Sequence, residues 1–364
     1  MRLSILTALI LISPMASGCG GSIAAPSSGL PNVTSTNDAT FASQLGRPFA
    51  YVAQTCSSNS SCPSPNGMVQ VLGGPTITTG IENPTTLALD RPGNLYVGNS
   101  LASNEGNVTV YAPKSVTPLR TLSGVVGVPK GLVANAAGRL VVVAQYRAGC
   151  CNFEGTGAIY SPGATKPRHG LKGLSGFAHA PVIDKFGTMY VANFDVFPGW
   201  VSVYRHGQHV PSRVIQSGIG LPIGLAVAPN GDLVVANGLF SGKANVLVFP
   251  HGQSSPSLTI AAGVRRPTSV AVDGEGSIYV ANDGYPKTKG AVTVYGKGQT
   301  TLSRTIHSGI TFPGALAFDS SGRLYVANVP NKGANTIAVF APGSSTPVHT
   351  YTLKEQFAAL AVPR

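Results

Sequence analysis

Few residues in this chain are of a type and spacing that could do chemistry. Of 364 residues, 13 are acidic, 7 are histidine and 5 are cysteine. No GxSxG, HExxH or Gly-rich phosphate-binding Lys motif occurs. Four cysteines sit in two short stretches, Cys56 with Cys62 and Cys150 with Cys151. An even number in an exported chain suggests disulfides, and four cysteines allow three connectivities. Cys56–Cys62 is the local pairing and leaves Cys150–Cys151 as a strained vicinal bridge. The alternative cross-links the two stretches. Stapling of two loops explains these cysteines better than redox catalysis. Zinc is poorly served, because no histidine lies near them in sequence.

What positions these residues is a repeat. Gly276–Asn282 reads GSIYVAN, and it returns as GRLYVAN at 322–328, GTMYVAN at 187–193, GDLVVAN at 231–237 and GNLYVGN at 93–99. Looser copies are RLVVVAQ at 139–145 and PFAYVAQ at 48–54. The closing residues Gln54, Asn99, Gln145, Asn193, Asn237, Asn282 and Asn328 are spaced by 45, 46, 48, 44, 45 and 46 residues. That period, filled with short alternating segments, marks a β-propeller. Each repeat holds four strand-like pieces, and the first two are joined by a turn such as DGEG or DSSG, whose glycine supplies a positive φ. The chain ends on FAALAVPR, a first strand with nothing after it, and the repeats open on RPFAYVAQ, a second strand with nothing before it. Pairing the two closes the ring as a composite blade and removes the free edges. The expected fold is therefore all-β, a seven-bladed propeller of four-stranded blades over 47–364, with six or eight blades as the alternative.

Composition agrees. Charged residues are 10% of the chain, with 45 glycines and 28 prolines. The net charge is +12, yet there is no basic run or stacking-aromatic cluster, which argues against a specific nucleic-acid site. Acidic envelope polymers and anionic lipid headgroups are the non-specific neighbours such a surface would attract.

The repeats resemble the YVTN and NHL groups of bacterial β-propellers, over roughly 320 of the 364 residues. The motif specifies the fold strongly and the function weakly. In such propellers the first strand lies innermost, so the loops between second and third strands share a face with those entering the first. That face is the expected ligand face. Two second-to-third loops are long, with 13 residues between Gln54 and Met68 and 12 between Gln145 and Ala158, and these hold the four cysteines. Tyr146, Arg147, Phe153, Phe194, Phe197, Trp200, Phe240 and Tyr285 fall in the second-to-third loops of the seven blades, and aromatic and Arg residues are the usual anchors of a binding surface.

Two enzyme resemblances bear on the same face. Gluconolactonase-like propellers hold a divalent ion over the central channel, which here would implicate Glu82, Asn193, Asp195, Asn282 and Asp283 with Ca²⁺ or Mg²⁺. Asn or Gln in every blade is better explained by the fold, since a metal site needs asymmetry and Asn suits strand ends. Streptogramin-lyase-like propellers carry aromatic-rich strand ends with catalytic His and Glu, which this chain lacks. His179 is the one histidine at the start of an inner strand and could face the channel mouth, without an adjacent carboxylate to orient it.

At the N-terminus, Arg2 precedes an apolar run from Leu3 to Ile12, too short to span a bilayer. Ala16-Ser17-Gly18-Cys19 follows. This is similar to a bacterial lipobox, with Ala16 where the pattern usually has Leu, and implies a signal peptide over 1–18 and a lipidated Cys19. Residues 19–46 read as a flexible tether. Gly20, not Asp, follows the cysteine, which by resemblance to lipoprotein sorting in two-membrane bacteria permits export to the outer membrane or cell surface. The expectation is a lipid-anchored, non-catalytic binding or scaffold module of the cell envelope, with an envelope protein or glycan as ligand and no required cofactor. A metal-dependent hydrolase or lyase is the alternative.

Overall fold

The structure, a computed structural model, describes residues 50–56, 67–101, 105–148, 152–195, 197–238, 244–284, 289–330 and 333–363. These form seven antiparallel sheets of four strands each. No helix occurs among them. The blades follow one another in sequence, each running from an inner first strand to an outer fourth. In blade 6, for example, the strands are Pro267–Val272, Ile278–Asn282, Ala291–Tyr295 and Arg304–Ile306. The inner strands of blades 2, 3, 4, 5 and 7 are Pro84–Leu89, Val128–Ala134, His179–Ile183, Leu221–Val227 and Pro313–Phe318.

Blade 1 is composite. Its inner strand is Gln356–Ala361, which pairs with Tyr51–Thr55 through Tyr51↔Ala361, Val52↔Leu360 and Ala53↔Ala359. The ring closes as the truncated ends of the repeat array require.

The core lies between blades. Alternation along each second strand sends one set of side chains to the preceding blade and one to the next. Tyr190 and Ala192 of blade 4 thus pack with Leu225, Leu233 and Val235 of blade 5. In six blades the third strand ends on a buried aromatic residue, and in blade 1 it ends on Val71. Tyr111, Tyr160, Tyr204 and Tyr295 donate their hydroxyls to the carbonyls of Thr79, Ser123, Lys172 and Ala262, which lie on the preceding blade's outer strand or in the segment running from it to the tyrosine's own blade. Burial pushes these phenols above their ordinary value, that of Tyr160 up to about 12.

The turn chemistry also follows the sequence. In blade 2, Asp90 Oδ1 accepts from the N–H groups of Gly93 and Asn94 at 3.0 and 2.7 Å. Gly93 there has φ 94°, a left-handed conformation that a side chain would strain.

The repeated Asn and Gln are clamps. Asn237 Oδ1 accepts from the N–H groups of Gly220 and Leu221 at 2.8 and 3.1 Å, and its Nδ2 donates to Gly218 O and Asn245 Oδ1, each at 3.0 Å. One amide thus ties the second strand to the third and to the loop entering the first. Asn99, Asn193, Asn282 and Asn328 do the same, accepting from the N–H groups of Glu82, Ser175, Arg265 and Thr311 at 3.0, 2.9, 2.7 and 2.9 Å. In blade 1, Gln54 accepts from Glu355 N–H at 2.9 Å. The sequence predicted local strand-end bonding, and Asn193 and Asn282 show it, donating Nδ2 to Val191 O and Val280 O at 2.9 and 3.1 Å. The main partners instead lie 16 to 19 residues earlier in the chain for Asn237. Asn237→Leu strands two buried N–H groups at about 1–3 kcal/mol each. A loss of roughly 3 kcal/mol in urea unfolding is expected, and a loss under 1 kcal/mol would show that the clamp is dispensable.

Candidate functional site: an aromatic shelf over blades 3 and 4

The long second-to-third segment of blade 3, expected as a loop, is mostly strand. The second strand runs Leu140–Ala148 and the third Asn152–Tyr160, nine residues each, against five or six for the second strands of the five blades whose motif ends in Asn. The pairing continues past Gln145 with Glu154↔Tyr146, Phe153↔Arg147 and Asn152↔Ala148. A hairpin therefore projects from the face that bears the second-to-third loops. Two residues with no side chain bulk make this possible. A Cβ on Gly155 would lie 1.8 Å from Ser175 O, and one on Gly176 would lie 2.2 Å from Phe153 O. Backbone packs on backbone there.

That contact carries the aromatic residues. Side chains alternate across the hairpin, so Gln145, Arg147 and Phe153 share the side toward blade 4, while Tyr146 and Glu154 take the other. Phe153 meets Phe177 at 5.2 Å between ring centroids, and Phe177 meets Phe194 at 6.0 Å. Both pairs are tilted, a favourable aromatic geometry. Phe153 is 36% exposed, and Phe177 and Phe194 are half-buried. Phe177 was not among the residues singled out in the sequence. It lies in LSGFAHA, the loop entering the inner strand of blade 4, and its position on the shared face was the only signal for it.

The loop beneath the rings is held at both peptide groups. Gly176 O accepts from Gln145 Nε2 at 2.8 Å, and Gly176 N–H donates to Asp195 Oδ1 at 2.8 Å. Ser175 N–H donates to Asn193 Oδ1 at 2.9 Å, and Ser175 Oγ accepts from Phe194 N–H at 2.9 Å. The shelf is pre-formed, which lowers the ordering cost of binding.

Other predicted site residues are placed as follows. Trp200 opens the third strand of blade 4 opposite Asn193 and is not in the loop. It is half-buried, and Phe197 is 48% exposed beside it in the chain. Tyr146 is half-buried and Arg147 exposed. Cys56 is disulfide-bonded. The remaining cysteines, Cys19, Cys62, Cys150 and Cys151, lie outside the described residues, as do Phe240 and Tyr285.

His179 sits at the predicted start of the blade 4 inner strand, but both ring nitrogens are engaged. Nδ1 is 2.9 Å from Phe177 O, and Nε2 is 3.2 Å from Ile223 O in blade 5. Burial holds its pKa below the ordinary value, against the smaller opposing pull of these carbonyls. A neutral ring has one N–H and so donates to only one of these two carbonyls, and its other nitrogen lies against the second carbonyl and is not turned toward a substrate.

The residues considered for a metal are not brought together. Asn193 and Asn282 spend their Oδ1 atoms on backbone N–H groups. Asp195 accepts from Gly176, and Asp283 pairs with Arg266 at 3.1 Å. Glu82 belongs to blade 2, across the ring from Asp283 in blade 6. Among the described residues no three His, Cys, Asp or Glu side chains gather to hold an ion.

No family model matches the sequence, and no curated protein matches it. Among solved structures the chain is similar to a chain of Kuenenia stuttgartiensis hydrazine synthase, with TM-score 0.58 and 15% identity over 72% of this chain and 78% of that one. At that identity the likeness is one of fold. It agrees with a propeller and carries no residue of activity across.

Proposed function

We propose that this propeller is a lipid-anchored, non-catalytic binding module of the cell envelope, of the NHL/YVTN type, that takes a glycan on the aromatic shelf of blades 3 and 4. The observation that carries the reading is the contact of Phe153, Phe177 and Phe194 on a loop clamped at both ends. Flat apolar rings with polar rims suit the faces of sugar rings, and aromatic residues commonly dominate such surfaces. The repeated YVAN strands support the family reading. Their Asn residues are consumed by the fold, and so they supply no catalytic set.

The test is retention on envelope polysaccharide. Phe153→Ala with Phe177→Ala should weaken binding at least tenfold while the melting temperature stays within a few degrees, and chelator should change little. If chelation or Asp195→Ala instead abolishes a hydrolase or lyase activity, the enzyme reading replaces this one.

Anchoring is tested separately. Cys19→Ser should move the protein from the membrane to the soluble fraction. An N-terminus without acyl mass in the parent protein would overturn the anchor while leaving the shelf untouched. Intact mass before and after reduction should also account for Cys56, Cys62, Cys150 and Cys151 as two bridges, and four free thiols would remove the staple.

A further inference from the structure

The turns between first and second strands lie on the face opposite the shelf, and there blades 2, 4 and 6 share a polar motif. In blade 2, Tyr96 donates its hydroxyl to Asp90 Oδ2 at 3.0 Å, with Arg120 also bonded to the phenol. In blade 4, Tyr190 donates to Asp184 Oδ2 at 3.3 Å, and Arg213 Nη1 donates to Gly252 O of blade 5 at 2.6 Å. In blade 6, Arg304 Nη2 donates to the Tyr279 hydroxyl at 3.0 Å, and Arg304 Nη1 donates to Gly343 O of blade 7. The motif is an Asp from the turn, a Tyr from the second strand and an Arg from the fourth. The phenol ring fills the space before the next blade, and the arginine seals its mouth.

Blade 5 replaces all three. Ala228 stands for the aspartate, Val234 for the tyrosine and Leu258 for the arginine. The partner carbonyl on blade 6 would be that of Gly298, the equivalent of Gly252 and Gly343. Blade 3 also lacks the pair, with Asn135 and Val141, but there Arg168 lies beside Arg139, which reaches Gly207 O. In blade 5 nothing refills the space. A cavity of about 240 Å³ opens between blades 5 and 6, and Ala228, Val234, Leu258 and Gly298 all line it. Its floor is apolar, with Val234 only 1% exposed and Val248 and Ile278 buried. Its mouth is polar. Asp232 is already engaged by His251 N–H and Asn230 Nδ2 at 3.1 and 2.7 Å, while Lys297 and Glu275 reach solvent.

We infer that the gap between blades 5 and 6 is a binding pocket for a small aromatic molecule, its ring standing where a tyrosine ring stands in blades 2, 4 and 6 and its polar end at the Lys297–Glu275 mouth. The size supports this. An apolar cavity of about 150 Å³ accepts one benzene ring, so the space here takes a ring with a short substituent. The floor cannot hydrogen-bond a buried polar group, so the buried part of the ligand must be apolar, as the tyrosine ring is in blades 2, 4 and 6. At the equivalent place in blades 2, 4 and 6 the rings of Tyr96, Tyr190 and Tyr279 are packed in the clusters shared with the next blade. The pocket faces away from the aromatic shelf and stands independently of the function proposed for that shelf.

Toluene and 4-methylphenol are the probes, the second being the tyrosine side chain itself. With methyl-labelled full-length protein, either probe should shift the methyl resonances of Val234, Val248, Leu258 and Ile278, and leave the equivalent methyls of blades 2 and 7 in place. Ala228→Asp with Val234→Tyr and Leu258→Arg rebuilds the motif that blades 2, 4 and 6 already carry. It should weaken probe binding at least tenfold and leave the protein as stable as its parent or more so. Unmoved methyls at millimolar probe would overturn the inference, whether or not the triple variant folds. So would probe binding that survives the rebuilt motif or the single filling change Val234→Phe.

Discussion

A chain that stops at residue 355 is expected to lose its single cooperative unfolding transition. The deleted segment supplies the inner strand of blade 1, Gln356–Ala361, which pairs along Tyr51–Thr55. It also completes two interfaces. Val362 packs in the cluster with Tyr325 and Ala327 of blade 7, and Ala361 packs in the cluster with Leu87 and Leu95 of blade 2. Phe357 and Leu360 lie against the first of these. Burying an aliphatic or aromatic side chain is worth about 1.5–3 kcal/mol. Losing Phe357, Leu360 and Val362 therefore removes roughly 5 kcal/mol before any hydrogen bond is counted. Whole-domain stabilities run about 5–15 kcal/mol, so the loss is comparable with the total. The opened ring also exposes two strand edges to pairing with other chains. Calorimetry should show a broad, low-temperature transition with aggregation, where the full chain shows one sharp peak. A sharp transition at the parent temperature would mean that the last strand is not structural.

The ring could be read in advance because each repeat repeats its own local instructions. A turn glycine, an alternating strand and a closing Asn recur at one spacing, and the incomplete first and last copies can only complete each other. The blade 3 hairpin could not be read this way. Its residues, YRAGCCNFEGTG, carry the Gly and polar content of a loop. Of these, 146–148 and 152–157 are strand, because each side pairs the other and because Gly155 lets the hairpin lie on the Ser175 backbone. Trp200 was misplaced for a related reason: the Pro-Gly before it looks like loop, but the Asn193 pairing extends the third strand to include it. The roles of Asn193 and Asn282 as clamps depend on partners from the preceding loop, which the sequence does not set beside them. The pocket at blade 5 was hidden differently. Ala228, Val234 and Leu258 are each ordinary in a β-protein, and they acquire meaning only when three substitutions in three different strands and turns meet at one junction.

Lys130 offers the other large expected effect. It occupies the bulge position of the blade 3 inner strand, between Pro129 and Gly131 in the register. At that position blades 2 and 6 have Thr85 and Thr268, which donate across to Pro129 O and Pro313 O of the next blade at 2.6 Å each. His179 uses the same place in blade 4 to reach Ile223 O. Lys130 makes no such bridge and has no ion-pair partner among the described residues. It is half-buried, and loss of hydration brings its pKa down to about 8. The unfolded chain holds this proton up to about pH 10.4. The folded state therefore binds fewer protons between those values, and stability must rise with pH across that window. Below about pH 8 the full penalty is present, of order 3 kcal/mol at 1.36 kcal/mol per pKa unit. Lys130→Met should accordingly stabilise the protein by about 2–3 kcal/mol at pH 7. The gain should shrink toward zero by pH 10.5. Tyr96 and Tyr160, whose pKa values are each pushed up to about 12, act oppositely, since stability falls once unfolded tyrosines ionise above pH 10. Subtracting the variant's urea-unfolding profile from the parent's removes that contribution and isolates the lysine. A difference that stays flat from pH 7 to 10.5 would show that the ammonium reaches solvent through the channel and carries no burial cost.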